Sequence, residues 1–114
     1  MISIPDPQKA IELIKNNEEE IEIRFVKWAK SYHQRTGRFA EKKEAEEAIP
    51  EILVNYVFEK LGDPSLDLRM QTVTKKVLEK VLKSAGMFNL DIEVTATGGK
   101  IQAQIDLNGD QGNA

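Results

Sequence analysis

Seven basic side chains stand between residues 24 and 43: Arg24, Lys27, Lys30, Arg35, Arg38, Lys42 and Lys43. Phe25, Trp28, Tyr32 and Phe39 are set among them. Lysine and arginine neutralise phosphates, and aromatic rings stack on unpaired bases, so the stretch has the composition of a nucleic-acid contact. A second chemistry competes for the same residues. Ile11, Ile14, Ile21, Phe25, Trp28 and Tyr32 recur at helical spacing on one face, in a seam that also includes Glu18 and Arg35. On that reading the aromatic rings are core or interface, and the cations pair with the acids of residues 44–51 or with those of another copy. The acidic balance of the chain, a formal net charge of −3, weighs against nonspecific binding to a polyanion.

The remaining candidates are weaker. His33 is the only histidine. A general base needs an orienting partner, and the residues one helical turn away, Ala29 and Gly37, offer no carboxylate. It reads as a surface or interface residue. Asp106, Asn108 and Asp110 match the first three ligand positions of a calcium loop, but Gln111 stands where glycine is required and no twelfth-position glutamate follows. Glu18, Glu19, Glu20 and Glu22 could attract a divalent cation, yet on one helix such a run is more often a solvated face. Gly98-Gly99-Lys100 lacks the glycine spacing and the following hydroxyl residue of a phosphate loop. No nucleophile–base arrangement is discernible. The sequence therefore predicts no catalytic residue, no metal site and no cofactor.

The elements that must position these residues are legible from caps and periodicity. Asp6-Pro7 opens a helix, with a carboxylate for free N–H groups and a proline preorganised for the first turn. The helix carries the seam to Arg35 and stops at Gly37. Ile21, Ile23 and Phe25 alternate with Glu22 and Arg24 as in a strand, but the alternation is too short to displace the helix. Asn16-Asn17 is the place where it could split in two. A second helical region spans Phe39 to Leu61, and Pro50 predicts a break or kink near Ala48-Ile49. Its second half is apolar enough to be the most buried piece. Asp63-Pro64 repeats the first cap and predicts a third helix ending near Ala85 and closed by Gly86. Its expected inner stripe is Leu66, Met70, Val73, Val77 and Val81, with Leu78, Leu82 and Ala85 beside it.

The period then changes. Residues 91–97 and 100–107 alternate apolar and polar around Gly98-Gly99, which predicts a two-residue hairpin. Its register sets Ile92 opposite Ile105, Val94 opposite Ala103 and Ala96 opposite Ile101 on one apolar face. Charge alternates along the chain in blocks: net −4 over residues 1–22, +6 over 23–43, −5 over 44–63, +3 over 64–85 and −3 over 86–114. Blocks of this kind suggest basic faces set against acidic ones.

With 114 residues, 40% hydrophobic and 31% charged, the chain reads as one globular domain. It contains no cysteine, carries no apolar run of membrane-spanning length, and begins without the pattern of a signal peptide. A cytoplasmic location is the expectation. The fold class is α+β and mainly helical: three helical segments, the second broken at Pro50, then a C-terminal β-hairpin. Residues 1–107 are expected to form the domain and residues 108–114 a mobile polar tail. The expected function is a non-enzymatic binding or assembly subunit that self-associates, as a dimer or within a larger complex, through Ile21, Phe25, Trp28 and Tyr32. The alternative is a small nucleic-acid-associated protein using the basic stretch.

Overall fold

The computed structural model describes residues 5–107, and the expectation of a polar tail falls outside them. Four helices precede a two-stranded antiparallel hairpin: α1 (Pro7–Asn16), α2 (Glu18–Thr36), α3 (Lys42–Leu61), α4 (Leu68–Ser84), β1 (Asp91–Thr97) and β2 (Lys100–Asp106). The architecture is the expected mainly helical α+β, with one more helix than the three segments read from sequence.

The extra helix arises at Asn17. Its side-chain amide donates to the Leu13 carbonyl at 2.7 Å and its backbone N–H reaches the Ile14 carbonyl at 3.3 Å. These bonds take the carbonyls a continuing helix would use, so α1 stops and α2 starts one residue later. Glu18, Glu19 and Glu20 then occupy the first turn of α2, where the helix dipole favours negative charge. Gly37 closes α2 in the left-handed conformation.

Pro50 does not break α3, contrary to the expectation. The helix runs through it without interruption. Ala48 and Ile49 before it, and Leu53 and Val54 after it, are all buried, so packing holds the helix together on both sides of the proline. Glu46, whose carbonyl loses its donor to the proline ring, is on the exposed side, where water can serve instead. α3 packs against α1, α2, α4 and β1, and its second half buries Leu53, Val54, Tyr56, Val57 and Phe58. Full burial of each large side chain stabilises by about 1.5–3 kcal/mol.

The Asp63-Pro64 cap is also corrected. Asp63 instead accepts from the Ser65 N–H and hydroxyl in a tight turn, and α4 starts at Leu68 with Asp67 as its cap, accepting from Met70 N at 2.8 Å. The buried face of α4 is Thr74, Leu78 and Leu82, whereas Val73 in the expected stripe is 40% exposed. Thr74 can serve as a core residue because its hydroxyl donates to the Met70 carbonyl within the helix.

The hairpin has the expected register throughout, from Thr97 opposite Lys100 to Ile92 opposite Ile105. Gly98 and Gly99 both take positive φ, as the two central positions of such a turn require. Its apolar face lies on the helices, β2 along α2 and β1 along α3. Ile92, Ala103 and Ile105 are buried in the same cluster as Ile14, Phe25 and Leu53, while Ala96 near the tip is exposed. Among the described residues no helix is long and apolar enough to cross a membrane.

Candidate interaction surface

Several cations of the basic aromatic stretch lie beside carboxylates of the same chain. Arg24 lies 2.8 Å from Glu59, Lys42 lies 2.8 Å from Asp91, and Arg38 lies 3.7 Å from Glu44. The Arg24–Glu59 bond raises the arginine's pKa and lowers that of the glutamate, and the Asp91 carboxylate raises that of Lys42. Lys30 and Lys43 form no ion pair among the described residues. Lys27, an exposed residue of α2, contributes to the field that lowers the Glu59 pKa, and Arg35 sits over the Tyr32 ring at 6.0 Å.

The rings divide in the same way. Phe25 is fully buried. Trp28 packs partly against the core and tilts against Tyr32 at 5.6 Å. The Tyr32 hydroxyl donates to Glu44 and accepts from Arg38 at 2.8 Å. Phe39 is exposed but stacked flat on His33 at 4.2 Å. The His33 Nδ1 is buried and has no hydrogen-bond partner among the described residues. Of the four residues expected at an interface, Ile21 and Phe25 are fully buried inside a single chain, and Trp28 and Tyr32 are half-buried.

The glutamate run at residues 18–22 is more structural than a solvated face. Glu20 accepts from the Tyr56 hydroxyl at 3.0 Å and lies 3.2 Å from Lys60, and both partners hold its pKa below the usual carboxylate value. Glu22 accepts from the backbone N–H of Ile105 at 3.1 Å. Glu18, Glu22, Asp91, Glu93 and Asp106 surround an open depression, but among the described residues no three metal-ligating side chains come together to hold an ion. Asn108 and Asp110 of the calcium-loop pattern lie outside the described residues.

What sequence reasoning missed is the surface beside β2. Ile23 is 54% exposed on α2, and with Val26 it borders a groove walled by residues 101–104 of β2 and by Glu19 and Glu22. A signal for it existed. On a helix that buries Ile21 and Phe25, residue 23 projects to the opposite side, so an isoleucine there needs cover from elsewhere. The groove joins an apolar floor to a strand edge that has no neighbouring strand among the described residues. Such an arrangement can hold an extended segment by main-chain hydrogen bonds and side-chain burial together. The chain matches no family model, no curated protein and no solved structure.

Proposed function

We propose that the protein is a non-enzymatic binding or assembly subunit that acts through self-association and protein–protein contacts. The observation that carries this reading is the groove between α2 and β2, where the half-exposed Ile23 lies beside a strand edge with no neighbouring strand among the described residues. Exposed apolar surface next to unpaired backbone groups is costly to leave in water, and a docked chain relieves both costs at once. The alternative, nucleic-acid association through the basic stretch, draws less support, because Arg24, Arg38 and Lys42 are already set against carboxylates.

Sedimentation equilibrium of the full chain at micromolar concentration tests the reading. The expected mass is a multiple of 12.9 kDa. A monomeric mass, together with tight binding to single-stranded DNA or RNA that weakens steeply with salt, would overturn it in favour of the alternative.

A further inference from the structure

We propose that the self-associating surface is the outer edge of β2, which pairs antiparallel with β2 of a second copy about a two-fold axis at Ala103. This rests on the assembly reading above and names its partner as the chain itself.

The hairpin geometry establishes which groups are offered. In a two-residue hairpin the residues flanking the turn, here Thr97 and Lys100, exchange hydrogen bonds, and the pairs alternate from there. The backbone groups of Ile101, Ala103 and Ile105 therefore point away from β1. The bond from Ile105 N to Glu22 on α2 agrees with this direction.

The strand is complementary to itself. Its sequence is Lys-Ile-Gln-Ala-Gln-Ile-Asp over residues 100–106. Turned end for end about Ala103, isoleucine meets isoleucine at 101 and 105, and glutamine meets glutamine at 102 and 104. Ala103 meets its own copy, and Lys100 stands across from Asp106. The three outward-facing residues fall opposite one another in this register, so their N–H and C=O groups meet as bonding pairs. An isologous interface requires a patch that complements itself under two-fold rotation. β1 does not do so as well. Turned end for end about Val94, it sets Asp91 opposite Thr97 and Glu93 opposite Thr95, so neither acid meets a base across the strand.

The flank fits as well. Joining the two hairpins at β2 makes one four-stranded sheet and brings the two α2 helices together beneath it. Ile23 and Val26, now in the open groove, would lie near the axis and be covered. Glu22 guards one end of the edge in the single chain, and pairing exchanges its carboxylate for the Ile101 carbonyl of the second copy.

The test uses the full-length chain, which has no cysteine of its own. Gln102→Cys and Gln104→Cys variants are prepared separately and then mixed under mild oxidation. Residues 102 and 104 of opposite copies are directly facing, about 4.5 Å apart at Cα, whereas each residue is beyond ready disulfide reach of its own copy. A disulfide dimer in the mixture, and little in either variant alone, is the expected result. Ala103→Pro removes the two hydrogen bonds at the axis from a position whose N–H faces outward, and should weaken dimerisation about tenfold or more in sedimentation. A dimer that forms no mixed disulfide and is unaffected by Ala103→Pro would overturn β2 pairing while leaving self-association through another face. A monomer in every experiment would overturn both.

Discussion

The two tyrosines of this chain sit in clusters built from the same parts. Tyr56 of α3 donates to Glu20 of α2, with Arg24 and Lys60 over its ring at 5.1 and 5.8 Å. Tyr32 of α2 donates to Glu44 of α3, with Arg35 and Arg38 over its ring at 6.0 and 5.8 Å. One cluster joins the start of α2 to the end of α3, and the other joins the end of α2 to the start of α3. Together they clamp an antiparallel helix pair at both ends. The surroundings differ. Tyr56 is fully buried and Tyr32 is half-buried, with Arg38 largely in solvent. Identical groups are therefore expected to contribute unequally, because a hydrogen bond withdrawn from water is costly to lose and a hydrated one is replaced by solvent.

The largest expected contrast is truncation. Tyr56→Ala removes a core ring and should cost about 3–5 kcal/mol in chemical denaturation, as large aromatic-to-alanine changes in cores do. Tyr32→Ala should cost about 1 kcal/mol or less, since its polar contacts lie near the surface. Equal losses would show that the two clamps share one environment.

The next contrast is alkaline. Burial, and then the Glu20 carboxylate, push the Tyr56 hydroxyl up to about 12 from its ordinary 10.0. A raised folded-state pKa stabilises below the unfolded value and loses that contribution as pH climbs through the folded one. Stability should fall by an amount on the order of 2 kcal/mol between pH 10 and 12 on this account. Tyr56→Phe should flatten that limb. If the alkaline limb is the same in the two proteins, Tyr56 is not its cause.

The smallest effect is at acid pH. The Tyr56 hydroxyl, then Lys60, hold the Glu20 pKa below its ordinary 4.5. A depressed carboxylate stabilises above its unfolded pKa, and the contribution fades as pH drops through the folded value. Thermal melts of Glu20→Gln should therefore lose less on going from pH 5 to pH 3 than those of the unaltered chain. Glu59, lowered by Arg24, keeps part of the acid sensitivity in both.

Much of the fold was legible because it is local. The hairpin register follows from an alternation of period two around two glycines, and no distant residue is needed to set it. The cap at Asp6 and the stop at Gly37 are likewise decided within a turn of backbone. The site was less legible. Phe25 and Trp28 share a face by spacing alone, but spacing does not say whether another helix of the same chain or a second copy covers it. Glu22, Glu20 and Glu44 look alike in sequence, and their partners lie 83, 36 and 12 residues away.

By itself, then, the sequence determined which segments are helix and which are hairpin, through periods and caps that act over a few residues. Tertiary structure alone decided that Pro50 sits inside a continuous helix, because apolar contacts on both sides outweigh one lost hydrogen bond. It decided that Thr74, and not Val73, faces the core. It also decided which cations of residues 24–43 face carboxylates. Each of these depends on the summed burial of residues distant in sequence, a free energy that no local pattern contains.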